Sequence, residues 1–139
     1  MIELKNRYLG SLLGLAVGDA LGAPVEFKAR GSFDAVFEMQ SGGPFNLKKG
    51  QWTDDTSLAL CLGSSLVEKN GFDPYDQIER YQKWFREGYM SCTGNCFDIG
   101  NTTKAALLRY EENKEIYAGS ILDPATNGSL MRLAPIALF

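Results

Sequence analysis

The chain has 139 residues, 45% hydrophobic and 22% charged, a balance that fits one globular domain or part of one and argues against a disordered chain or a fibre. Its 14 Lys and Arg against 17 Asp and Glu give a net charge of −3, which argues against a dedicated nucleic-acid binder. Histidine is absent. That excludes Ser-His-Asp triads, HExxH zinc sites and imidazole-ligated iron or copper, and leaves acid–base chemistry to carboxylates, Lys, Tyr or Cys.

From Glu3 to about Leu21 the apolar residues Leu9, Leu12, Leu13, Ala16, Val17 and Ala20 share one wide helical face. Lys5 and Arg7 ahead of the Leu9–Val17 run imitate a signal sequence. The run is cut by Asp19, short of the roughly 20 apolar residues needed to cross a bilayer. A soluble, cytoplasmic protein with no membrane partner is therefore expected. Gly10, Gly14, Gly18 and Gly22 form a stripe without side chains on this helix. Each costs a helix about 1 kcal/mol relative to Ala. The use of such a stripe is close approach of another helix or of a ligand, so this helix is expected to be central and buried.

Residues 22–51 are punctuated by Pro24, Gly31, Gly42-Gly43-Pro44 and Gly50, and read as a long irregular loop of the kind that forms lids or binding loops. A second helix is predicted from about Asp55 to Lys69, ended by Asn70-Gly71. A third starts at Pro74 and runs to about Glu87. Residues 88–98 form another loop. A fourth helix covers Thr102 to Glu112, and after a polar connection a fifth begins near Ser129. No segment alternates as a strand does, so the class is all-α. The apolar run from Leu130 to Phe139 reads as a helix that continues beyond the last residue, so the bundle is expected to be incomplete at its C-terminus. The 3 cysteines, Cys61, Cys92 and Cys96, cannot close a disulfide framework and are read as reduced thiols.

The segment Gly50-Gln51-Trp52-Thr53-Asp54-Asp55-Thr56 runs from loop into helix and admits two readings. Thr and Asp are good N-caps, and acids suit a first turn. Adjacent carboxylates and a hydroxyl at one helix entrance also suit hard divalent cations, with Asp54 and Asp55 facing different ions. Two carboxylates would not balance two divalent ions, so further acids must come from elsewhere. Glu26 is a loop acid after Pro24. Asp98 stands just before the fourth helix, either as a cap or beside the free N–H groups of Gly100 and Asn101, a ready phosphate site. Asn127-Gly128-Ser129 repeats that arrangement ahead of the fifth helix.

Together these segments resemble the ADP-ribosylglycohydrolase family. The resemblance rests on the stretch from Gly14 to Phe27, on Trp52-Thr53-Asp54-Asp55-Thr56, on Phe97-Asp98-Ile99-Gly100-Asn101-Thr102 and on the stretch from Asn127 to Pro135, in the family order. It implies an orthogonal all-α bundle with two Mg²⁺ or Mn²⁺ ions beside an ADP-ribose cleft. By the family pattern Thr53, Asp54 and Asp55 would be metal ligands. Glu26 would be the mobile-loop glutamate near the metals, and Asp98 the acid facing the bond that is cut. Gly128 and Ser129 would match the phosphate-contacting turn, with Asn101 a further binding position. The implied reaction removes ADP-ribose from a protein side chain. Arginine is the implied acceptor, because the Phe-Asp-Ile-Gly segment is similar to the arginine-directed branch.

The family is roughly twice as long, and its second acidic segment, of Asp-x-Asp-Thr type, has no match here. The chain is thus expected to carry about half of the site, as the N-terminal portion of one domain, with a missing half or a second chain supplying the rest. The alternative is a non-catalytic module that keeps the scaffold and binds ADP-ribose or a protein partner.

Overall fold

The computed structural model describes residues 3–117 and 126–139. Among them the elements are α1 (Leu4–Gly22), a single 3-10 turn (Ala23–Val25), α2 (Asp54–Lys69), α3 (Pro74–Glu87), α4 (Asn101–Asn113) and α5 (Ala134–Leu138). The described residues contain no strand, only an isolated antiparallel bridge between Gly42 and Leu47 inside the long loop. The all-α class holds, and the first four helices fall within a residue or so of their predicted bounds.

The axis of the fold is α2. Leu58, Cys61, Leu62, Ser65 and Leu66 recur at helical spacing and are buried. The helix touches α1, α3 and α5, while α4 packs on the far side of α3. Trp84 of α3, 1% exposed, seals the contact with Leu58 and Cys61. Ile78 joins Leu107 and Tyr110 of α4 in a second cluster. The start of α3 is fixed by the Asp73 carboxylate, which accepts from the amides of Tyr75 and Asp76, and by Pro74 in the first turn, where no N–H is needed. Its end is fixed by Gly88 at φ +70°. A Cβ there would lie 2.1 Å from the Gly94 carbonyl oxygen, so glycine lets the loop of residues 88–98 fold back tightly under the helix.

Two expectations need correction. The glycine-striped helix is neither central nor buried among the described residues. Ala20 is the only buried residue described in α1, Leu13 is 61% exposed, and a Cβ on Gly10, Gly14, Gly18 or Gly22 would meet nothing within 4 Å. Among the described residues the helix meets α2, α5 and its own 3-10 turn, which leave most of its apolar face exposed. The last helix begins at Ala134, not near Ser129. Residues 127–133 form consecutive turns in which the Asn127 carbonyl accepts from both Leu130 and Met131. Pro135 has no N–H to continue an α-helical ladder back to Met131, so regular helix starts only beside it. Residues 118–125 of the polar connection ahead of it lie outside the described residues.

By length and composition the segment Leu4–Val25 could cross a membrane. The sequence reading counted only the Leu9–Val17 run and stopped at Asp19. In the fold, Asp19 accepts from four donors at the entrance of α2, so the end of this helix belongs to the packed domain.

Candidate active site

The start of α2 and the two long loops meet at one cleft. Its walls include Glu26, Phe27, Asp54, Asp55 and Asp98, closed on the other side by the first turn of α4 and by Asn127-Gly128; the cleft volume is about 440 Å³. A second cavity of about 280 Å³ lies against Asp19, Glu26, Thr53 and Asp55. The two share Glu26 and Asp55, so these carboxyls stand between them.

Sequence reading left capping and ligation open at the α2 entrance, and the geometry removes side-chain capping by Thr53. Thr53 occupies the N-cap position with extended backbone, yet its side chain makes no capping bond. Its hydroxyl donates instead to Asp19 Oδ1 at 2.8 Å. Asp54 and Asp55 fill the first helical turn, Asp54 buried at 6% exposure and Asp55 half-buried. Asp98 is not a cap either. The N-cap of α4 is Gly100, and Asp98 sits before it at φ +56°, a left-handed conformation that Asp tolerates better than most residues.

The loops carrying Glu26 and Asp98 are joined by rings. Phe27, beside Glu26, meets Phe45 edge-on at 6.1 Å, and Phe45 meets Phe97, beside Asp98, at 5.4 Å. Phe27 pays for its position with φ +60°, which a bulky side chain adopts only under constraint from its surroundings. The 3-10 turn ahead of Glu26 is held by Gly43, whose φ is +70° and whose Cβ would lie 2.6 Å from Pro24 Cα. The Glu26 and Asp98 side chains are thereby brought together in the same cleft.

Electrostatically the cleft holds acids against one another. Burial pushes the Asp54 carboxyl up to about 7, helped by the charges of Asp55 and Asp19. Burial also raises Asp98 to about 8, reinforced by Glu26 as a neighbouring charge and as hydrogen-bond partner. Glu26 and Asp55 are pushed above the usual carboxylate range by burial first and by neighbouring acids second. Of the two, Asp98 is held the higher, so a proton held by the pair sits on Asp98.

The remaining predicted positions lie at the rim. Asn101 is the first residue of α4 and lines the cleft; Gly128 lines it opposite, with its α-carbon face close to Thr103 Oγ1. Ser129 is in the same turn but exposed, and is not among the lining residues. Sequence reading missed Asp19 as a site residue. It also missed the lining residues Phe27 and Thr103, while Asn127 had been read only as part of the Asn127-Gly128-Ser129 turn. Asp19 alone carried a signal, as an acid breaking an apolar helical face.

The family is decided at this point, because the whole chain, residues 1–139, matches the sequence model of the ADP-ribosylglycohydrolase family. The chain belongs to the ADP-ribosylglycohydrolase family. It is 46% identical over 139 residues to the ADP-ribosylarginine hydrolase Tri1 of Pseudomonas putida (strain GB-1), covering 99% of this chain and 37% of that protein. It is 39% identical over 140 residues to the ADP-ribosyl-dinitrogen reductase glycohydrolase of Rhodospirillum rubrum, covering 98% and 45%. A solved structure described as an ADP-ribosylglycohydrolase-related protein complex superposes with a TM-score of 0.83 at 50% identity, over 99% of this chain and 44% of that one. The chain therefore spans less than half the length of these family members.

Proposed function

We propose that this chain carries one flank of the active site of a metal-dependent hydrolase that releases ADP-ribose from modified protein side chains, with ADP-ribosyl-arginine as substrate. The observation that carries this is the convergence of Glu26, Asp54, Asp55 and Asp98 on one cleft, rimmed by the first turn of α4 and the Asn127-Gly128 turn. Sequence kinship with an arginine-directed hydrolase supports the choice of acceptor.

The residues fit a hard divalent cation by donor chemistry. Their oxygens are carboxylate and hydroxyl, and burial with mutual repulsion holds the carboxyls above their usual range, a cost that bound positive charge would relieve. Thr53, Asp54 and Asp55 would hold Mg²⁺ or Mn²⁺, two ions in the complete site, with Glu26 beside them. When bound, the cations supply charge that orients ribose hydroxyls and acidifies a water. The protein's own groups do the rest. Asp98 gives its proton to the departing guanidine nitrogen as the bond from C1 of the ribose to nitrogen breaks. Water oxygen forms the new bond to that carbon, and the Glu26–Asp98 pair takes up the proton it releases. The N–H groups at the start of α4, with Asn101 and Gly128, receive the diphosphate.

A second reading, a module that binds ADP-ribose without turnover, has one observation in its favour. Among the described residues no group of three or more His, Cys, Asp or Glu side chains is arranged to hold one ion. We also assign the protein to the cytoplasm, and the exposed apolar face of α1, with the apolar cavity of about 590 Å³ between α1, α2 and α5, to the further sequence or second chain that completes the fold. The experiment is release of ADP-ribose from an ADP-ribosyl-arginine peptide with Mn²⁺, with an ADP-ribosyl-serine peptide alongside. Mn²⁺-dependent release from arginine supports the hydrolase. Binding of ADP-ribose without release from either peptide supports the module.

A further inference from the structure

Asp19, the acid at the end of an otherwise apolar α1, is used in an unusual way. Its Oδ1 accepts from the Thr53 hydroxyl at 2.8 Å and its Oδ2 from the Thr56 hydroxyl at 2.6 Å. The same carboxylate accepts from the Thr53 amide and the Thr56 amide, each at 3.0 Å. In an ordinary helix the N-cap side chain itself accepts from the amide three residues on. Here that amide is Thr56, and an acid from another helix accepts from it. The N-cap hydroxyl, released from capping, is turned into a donor toward Asp19.

A hydroxyl has one proton and two lone pairs. Asp55 Oδ2 also lies within reach of this hydroxyl, but at 3.5 Å against 2.8 Å to Asp19 Oδ1, so the proton goes to Asp19 and Thr53 Oγ1 serves the rest of the site as an acceptor. Thr53 is buried at 3% exposure and lines the smaller cavity together with Glu26 and Asp55. An oxygen fixed in that role suits a cation and cannot swing to cap its own helix. The same four bonds clamp the backbone from Thr53 to Thr56, which holds Asp54 and Asp55 between them.

We infer that Asp19 is the positioning residue of the site: by taking over the capping of α2 from another helix, it fixes Thr53 as an acceptor oxygen and sets the directions of Asp54 and Asp55. This rests on the cation reading for the role of Thr53, but the clamp itself is a property of the cation-free chain. Two measurements on the 139-residue protein separate them. Amide exchange by NMR in the presence of a chelator reports the clamp. In Asp19→Asn the Thr53 and Thr56 amides lose protection while helix content by circular dichroism stays as in the unmodified chain. Calorimetric titration with Mn²⁺ reports the ligand role. Asp19→Asn and Thr53→Val each weaken binding by about tenfold or more, as losses around a metal do. If Asp19 acts through Thr53, the double variant binds no more than about twofold worse than Thr53→Val alone.

Multiplying effects in the double variant overturn the assignment, because Asp19 would then act by some other route. Unchanged protection of both amides in Asp19→Asn overturns the clamp. If the unmodified chain takes up no Mn²⁺, the cation reading and the ligand role of Thr53 both fall, and amide exchange still decides whether Asp19 fixes the α2 entrance. Should Asp19→Asn fail to fold, Thr56→Val, which removes one of the four donors, gives the same two readouts.

Discussion

Asp54 offers the sharpest test of the electrostatics. Its carboxyl is 6% exposed and raised from 3.8 to about 7, chiefly by burial, with Asp55 and Asp19 adding repulsion. A carboxyl whose folded value lies above its unfolded value makes the folded chain bind the extra proton, so its stabilising contribution is complete in acid and is lost as pH rises through the folded value. Between pH 5 and pH 8 about two pH units of that window are crossed, a loss of about 2–3 kcal/mol from this one group. Asp54→Asn removes the titration and keeps the shape. Urea unfolding in the presence of a chelator should therefore show the unmodified chain losing stability over that range relative to the variant, by about 2–3 kcal/mol. A difference between the two proteins that stays constant from pH 5 to pH 8 would refute the reasoning, since Asp54 would then ionise in the fold at little cost.

Further outcomes follow from the same contacts. Glu26→Gln should slow release of ADP-ribose from the arginine peptide while leaving ADP-ribose affinity near that of the unmodified chain; a wild-type rate would remove Glu26 from the proton path. Activity should fall as pH rises past about 8, where Asp98 loses its proton, and a flat alkaline limb would contradict its role as acid. Trp84→Ala, which empties the α2–α3 contact, should cost about 3–5 kcal/mol by urea unfolding. Gly43→Ala forces a Cβ against the Pro24 backbone at positive φ and should destabilise by more than about 1 kcal/mol, read as a lower melting temperature.

The helices were legible because their signals are local. Pro74 and Asp73 start α3, Asn70 and Gly88 end α2 and α3 in left-handed conformations, and the buried face of α2 repeats at helical spacing. From the residues alone the acids of the cleft were legible only as types, Asp54, Asp55 and Asp98 near helix entrances and Glu26 in a loop; their roles came from the family resemblance. What joins them is not local. Phe45 bridges rings beside Glu26 and Asp98, and Asp19 reaches from α1 to the α2 entrance, contacts that no spacing in the sequence encodes. The burial of α1 was misjudged for the same reason. An apolar face and a glycine stripe state that a helix can be packed closely, but which surface packs it depends on the elements present, and α2 and α5 cover only part of it. At residues 129–133 the apolar run was right and the helix was not, because the missing N–H of Pro135 acts backwards along the chain.

The central claim is that Thr53, Asp54, Asp55 and Glu26 form a cation-dependent flank of an ADP-ribose cleft. Calorimetric titration of the chain with ADP-ribose, with and without Mn²⁺, tests it most directly. The account predicts binding that needs Mn²⁺ and is lost in Asp54→Ala and Asp55→Ala with helix content retained. Binding of equal strength without the cation, or unchanged in both variants, would contradict it.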